Sequence, residues 1–159
     1  MQKLTCFTVM VIGALAGEAD FPSFNHSHAH CAMSVSYPNT KCDALWNQMY
    51  TEIDSWQAGG PSGGIYDLYE WQEWSYIWST RLTRDRQYTD DQIFEFTQNG
   101  TTCDVAARSQ SQSPSYYDYD VNFCNMWNVF NGISPIIVNM QVTECPFEPT
   151  DPATTCQRY

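Results

Sequence analysis

Residues 89–130, TDDQIFEFTQNGTTCDVAARSQSQSPSYYDYDVNFCNMWNVF, hold two strand patterns, the turn between them, a polar break and the start of a helix. Over residues 92–98, Phe94 and Phe96 alternate with Ile93 and Glu95, the period of two that a pleated strand imposes. Asn99-Gly100 then gives a strong hairpin signal, because glycine adopts positive φ without steric cost. A second strand over residues 102–110 sets Cys103, Val105 and Ala107 on one side and Asp104, Ala106 and Arg108 on the other. The pair predicts an antiparallel hairpin. After the breaker-rich run SQSQSPSYYDYD, Asp118 or Asp120 supplies the N-terminal cap of a helix running to about Phe130. Its apolar side is Phe123, Cys124, Met126, Trp127 and Phe130. Asn131-Gly132 stops it.

Upstream, residues 65–72 and 74–82 are rich in Tyr, Trp, Ile and Leu and read as two further strands. Ile65, Asp67, Tyr69 and Trp71 would share one face of the first, and Trp74, Tyr76 and Trp78 one side of the second. Before them Cys42, Leu45, Trp46, Met49, Tyr50, Ile53 and Trp56 follow helical spacing from Thr40 through Gln57, with Thr40 as cap and Asp43 three residues on. The GGPSGG run of residues 59–64 breaks that helix. Downstream, Ile136, Val138, Met140 and Val142 alternate with Ile137, Asn139, Gln141 and Thr143 as a half-buried strand. Residues 145–159, with three prolines and two cysteines, read as an irregular strap.

Lys3, an apolar run from Phe7 to Leu15 and small residues Ala14, Ala16 and Gly17 make residues 1–19 a secretory signal peptide, cleaved about residues 16–19. The run is too short to span a bilayer. Residues 20–39 form an N-terminal arm and residues 40–144 a single domain. Removing the signal removes Cys6 and leaves Cys31, Cys42, Cys103, Cys124, Cys145 and Cys156, an even set that implies three disulfides in a secreted chain. Their pairing stays open. Asn25-His26-Ser27 and Asn99-Gly100-Thr101 are glycosylation sequons. A formal charge of −11 repels phosphate backbones and anionic membranes, so nucleic acid and membrane insertion are not expected.

The succession Thr89-Asp90-Asp91, Phe94-Glu95-Phe96, Arg108-Ser109-x-Ser111, Asp118 and Asn122 resembles an uncharacterised family of small bacterial, algal and plastid proteins, classed as a domain of unknown function. That family reads vDDvevxF, RSxSrxG, sDxgxNrkRi. The resemblance spans residues 65–130, and residues 89–122 carry most of it. Pro114 and Ser115 stand near the family's glycine, one residue is inserted in the serine run, and Phe123-Cys124-Asn125 replace its basic residues. The resemblance implies a small α+β fold and no established activity.

Catalytic signatures are absent: no GxSxG, Walker loop, HExxH or dinucleotide fingerprint occurs. Paired carboxylates alone could serve a glycosidase. His26, His28 and His30 alternate, so a strand would align their imidazoles as copper or zinc ligands; a solvated polar arm is the plainer reading. Asp90, Asp91, Asp118 and Asp120 offer oxygen ligands for calcium, against their ordinary use as caps and turn residues. Aromatic residues make up 15% of the chain, and their flat faces suit stacking on sugars, lipophilic molecules or a protein partner as well as filling a core.

The chain therefore reads as a secreted α+β domain with a four- to five-stranded antiparallel sheet, two helices mainly on one face, and three disulfide staples. The expected function is non-catalytic binding of a small lipophilic or carbohydrate ligand by Tyr69, Trp71, Trp74, Tyr76 and Trp78, with no cofactor required. Two alternatives stand beside it: a self-associating structural subunit of an extracellular matrix or fibre, and a metal-binding protein using the histidine cluster.

Overall fold

The computed structural model describes residues 17–134 and 139–159. Among them, six strands form one antiparallel sheet: β1 (His30–Tyr37), β2 (Ile65–Gln72), β3 (Tyr76–Leu82), β4 (Thr89–Asn99), β5 (Thr102–Ser111) and β6 (Gln141–Thr143). Their spatial order is β2-β3-β4-β5-β1-β6. Helices α1 (Cys42–Ser55) and α2 (Val121–Ile133) contribute to the core on one face, and a one-turn helix α3 (Pro152–Thr155) lies in the tail.

The α+β class with three disulfides holds, but the expected strand count is too low by at least one. The addition is β1, inside the segment expected to be an arm. Its Cys31, Met33 and Val35 are buried and alternate with half-buried Ala32, Ser34 and Ser36, and the strand pairs along its whole length with β5. The alternation is clean, but the adjoining histidines and sequon read as a polar arm and mask the strand in sequence. The last strand is only three residues long where described. Residues 135–138 of its expected span lie outside the described residues, as do residues 1–16 of the expected signal peptide.

The central hairpin forms, with its turn one residue later than expected: Asn99 still pairs with Thr102, so Gly100, at φ +60°, and Thr101 are the two turn residues. Phe94, Phe96, Val105 and Ala107 face the helices, where α1 buries Leu45, Trp46, Met49 and Ile53 and α2 buries Phe123, Met126, Val129 and Phe130. Each such large side chain contributes about 1.5–3 kcal/mol on burial. The caps differ from expectation. Thr40 donates to the Pro38 carbonyl and does not cap α1, while Gln98 Oε1 accepts from the Cys42 amide at 2.8 Å and satisfies the helix start from the hairpin.

The opposite sheet face is covered by the N-terminal segment. Phe21 packs edge-on against Trp78 at 5.2 Å, and the Arg108 guanidinium lies over the Phe21 ring. With Tyr76 and Ile93 these form a second, smaller apolar cluster. The disulfides are Cys31–Cys145, Cys42–Cys103 and Cys124–Cys156, which tie β1 to the tail, α1 to β5, and α2 to the tail.

Candidate functional site

The helix-facing side of the sheet changes character along its length. At one end it carries Ile77, Phe94 and Ala107; two steps on come Ser79, Gln92 and Ser109, and two further come Arg81, Asp90 and Ser111. Each set runs straight across β3, β4 and β5, because antiparallel register brings side chains of one face into rows. Above these polar rows α2 lays down Asn122, Asn125 and Asn128, spaced by three and therefore neighbours along one side of the helix. All nine of these polar residues are buried.

A connected network joins the two layers. The Ser111 hydroxyl donates to Asp90 Oδ1 at 2.6 Å, and Asn125 Nδ2 donates to Asp90 Oδ2 at 3.0 Å. Ser109 donates to Asn122 Oδ1 at 2.8 Å, and the Asn122 backbone amide donates to Asp118 Oδ1 at 2.9 Å, so Asp118 caps α2. The capping role expected of Asp118 or Asp120 thus falls to Asp118; Asp120 takes a left-handed backbone with no side-chain cap. Every residue of this chain of bonds except Asn125 belongs to the succession singled out in the sequence.

Part of the network lacks partners. The Ser79 hydroxyl, both side-chain polar atoms of Gln92, Arg81 Nε and Nη1, and Asp118 Oδ2 have no hydrogen-bond partner among the described residues. Such groups in a protein interior cost about 1–3 kcal/mol each, so their clustering asks for a reason beyond stability. Arg81 is only 2% exposed, and no carboxylate lies within ion-pair distance of it among the described residues. It lies beside Tyr66 and passes over Gly64, where a Cβ would stand 2.6 Å from Arg81 Nε. Only glycine leaves that path open.

The network opens to solvent through two adjoining cavities. One, of about 230 Å³, is lined by Asp90, Ser111, Asp118 and the exposed rings of Tyr88, Tyr117 and Tyr119. The other, of about 590 Å³, holds Arg81, Arg84 and Arg158 and shares Thr83, Tyr88, Tyr119 and Val121 with the first. Burial pushes the Asp118 carboxyl up to about 6, with the nearby Asp90 carboxyl acting in the same direction. Burial likewise raises Asp90, partly offset by its bonds from Ser111 and Asn125 and by the charge of Arg81 across the strand pair. The result is a polar well with a tyrosine rim, a buried cation and two carboxyl groups that hold protons more tightly than usual.

The five aromatic residues expected to form a binding surface do not act as one. Tyr69, Trp71 and Trp74 are 60%, 45% and 57% exposed, but Tyr76 and Trp78 are 5% and 6% exposed. The N-terminal segment covers Tyr76 and Trp78, and a β-bulge between Leu68 and Glu70 shifts the register of β2, so Tyr69 tilts against Trp78 while Trp71 emerges on the helix side against Tyr50. Trp74 sits in the turn before β3 with φ +63°. Tyr69, Glu70, Trp71, Gln72 and Tyr76 still line an open groove of about 660 Å³ at the sheet edge, where Tyr76 donates a short hydrogen bond to Glu70.

The three histidines line one small cavity of about 130 Å³ beside Asp118 but do not converge on a metal position. His26 is exposed, His28 Nδ1 meets the Ser111 carbonyl at 2.8 Å, and His30 Nδ1 meets the His28 carbonyl at 2.8 Å while its ring stacks on Phe24. Of the aspartates expected around calcium, Asp90 and Asp118 reach the well, whereas Asp91 turns to the other face and accepts from Trp78 Nε1 at 3.0 Å. Among the described residues no three His, Cys, Asp or Glu side chains converge for a metal ion. Asn25 and Asn99 are both exposed.

Arg81, Gln92, Asn125 and Asn128 were not expected at a site. The three-residue spacing of Asn122, Asn125 and Asn128 is the sequence signal for them, since three amides on one side of an otherwise apolar helix need polar company.

No protein-family model matches the chain, and no curated protein matches it by sequence. A solved structure of a protein from Chromobacterium violaceum is similar at a TM-score of 0.45 and 6% identity, over 67% of this chain and 97% of that one. No helix among the described residues is long and apolar enough to cross a membrane.

Proposed function

We propose that the chain is an extracellular, non-catalytic binding protein that takes a small, hydroxyl-rich ligand in the polar well beneath α2. The observation that carries this reading is the coincidence of unpartnered buried polar groups with an opening rimmed by exposed tyrosines. Tyrosine faces stack on sugar rings, and the buried carboxyl, amide and guanidinium groups supply fixed partners for hydroxyls. Both cavities together are of the size that small-molecule sites occupy. Five of the residues on which the resemblance to the uncharacterised family rests, Asp90, Ser109, Ser111, Asp118 and Asn122, meet there, whereas Asp91, Glu95 and Arg108 face the other side of the sheet. Secretion and glycosylation at Asn25 and Asn99 complete the reading, with the three disulfides supporting an oxidising compartment.

Native mass spectrometry of the protein from its natural source tests it. A bound small molecule, lost in a variant carrying Tyr88→Ala and Tyr119→Ala, is the expected result. Ligand-free protein that also fails to bind neutral or acidic monosaccharides would overturn the reading.

A second reading keeps the ligand on the aromatic edge, favoured by the groove between Tyr69 and Trp71 with Glu70 on its floor. There the same ligand class would be lost with Tyr69→Ala and Trp71→Ala instead.

A further inference from the structure

We infer that the ligand of the well carries a carboxylate, making it a sugar acid or similar hydroxy acid held by Arg81 with Arg84 and Arg158. This rests on the well being the binding site. The chain has only seven Lys and Arg residues against a formal charge of −11, yet three of the seven line one cavity of about 590 Å³. They come from distant parts of the sequence. Arg81 stands on β3, Arg84 in the loop after it, and Arg158 in the tail that the Cys124–Cys156 disulfide pins beside α2.

Arg81 is the deciding member. It is almost fully buried and two of its nitrogens have no hydrogen-bond partner; Asp90, opposite it across the strand pair, and exposed Asp85 act on its charge through space without reaching ion-pair distance. A buried guanidinium with no hydrogen-bonded oxyanion is costly, and a planar oxyanion matches it better than any neutral group does. Arg84 and Arg158 are exposed at the mouth and act by attraction rather than by burial.

The surrounding acids limit the charge of the guest. Asp85 lines the same cavity, and Asp90 and Asp118 line the adjoining one. A dianionic phosphate would meet those carboxyl groups as well as the arginines, whereas a single carboxylate meets the arginines and leaves its hydroxyls for Asp118 Oδ2 and the tyrosine rim. The two features together, one anion and several hydroxyls, define a hydroxy acid.

The test is an NMR titration of the uniformly nitrogen-labelled secreted chain, read at backbone amides and at arginine Nε, using glucuronate, glucose and inorganic phosphate at constant pH and ionic strength. Glucuronate is expected to shift an arginine Nε signal and to saturate at a concentration at least about tenfold below either of the others. The surface pair Arg84→Ala with Arg158→Ala, which leaves the buried Arg81 in place, is expected to raise the half-saturation concentration of glucuronate by about tenfold. Equal binding of glucose would overturn the carboxylate and leave the well standing. Tighter binding of phosphate would also overturn it, by naming the wrong oxyanion. Shifts confined to Tyr88 and Tyr119 amides, with no arginine response, would remove the inference alone. No response anywhere around the well to any of the three would remove the binding reading with it.

Discussion

Asp90 on β4 and Ser111 on β5 stand directly opposite each other in the sheet, and the Ser111 hydroxyl donates a 2.6 Å hydrogen bond to the Asp90 carboxyl group. This pair lies at the floor of the well, and Asn125 from α2 closes the contact from above at 3.0 Å. A strand pair and a helix are thereby joined through one acidic side chain.

Removing that acceptor strands two buried donors. Asp90→Ala is expected to lower unfolding free energy by about 2–4 kcal/mol, read from the urea midpoint at unchanged m-value. Asp90→Asn keeps the shape and one acceptor, and should cost about 1 kcal/mol. Equal losses for both would mean that shape, not hydrogen bonding, is what Asp90 provides.

Asp118 makes stability depend on pH in an unusual direction. Its carboxyl is raised to about 6 in the folded protein from an ordinary value of 3.8. The folded state therefore binds the proton more tightly, so this group's contribution to stability falls as pH rises from about 4 to about 6 and is level above that. Asp90, also raised, acts in the same sense. Replacing Asp118 by Asn, which keeps an acceptor for the Asn122 amide, should remove about 2–3 kcal/mol of pH dependence across that interval, measured by urea unfolding at half-unit steps.

The fold was legible where side-chain periodicity was clean. The central hairpin and both main helices declare themselves through Phe94, Phe96, Val105, Leu45 and Phe123, because each places apolar groups on one side only. β1 was masked by the neighbouring histidines and sequon, which read as a polar arm, although its Cys31, Met33 and Val35 alternate as cleanly as any strand here. The faces of β2 were misassigned because a bulge between Leu68 and Glu70 reverses the parity, and nothing local in IYDLYEWQ marks it. The candidate site was half legible. Asp90, Ser109, Ser111, Asp118 and Asn122 stood out as a succession, but Arg81 and Asn125 join them only through strand register and helix phase, which a linear reading does not supply.

The aromatic residues should divide by burial. Trp78→Ala removes a ring packed on Phe21 and Tyr69 and strands the Asp91 contact, so a loss of about 3–5 kcal/mol is expected. Trp74→Ala, at an exposed turn, should change stability by no more than about 0.5 kcal/mol. Thermal or urea unfolding of the two variants separates them, and similar losses would contradict the described packing.

The Cys124–Cys156 disulfide spans 32 residues and fixes the tail that carries Arg158. Replacing both cysteines by serine is expected to cost about 3–4 kcal/mol through the freed unfolded chain. Peptide mapping under non-reducing conditions should recover the three pairings described, and any other connectivity would contradict the tail's placement beside α2.

The most direct measurement is the glucuronate dissociation constant of the secreted chain and two double variants, by isothermal titration calorimetry. The account predicts that Tyr88→Ala with Tyr119→Ala weakens binding at least about tenfold, while Tyr69→Ala with Trp71→Ala leaves it within about twofold. The reverse order, with the edge pair carrying the loss and the well pair silent, would contradict the placement of the site beneath α2.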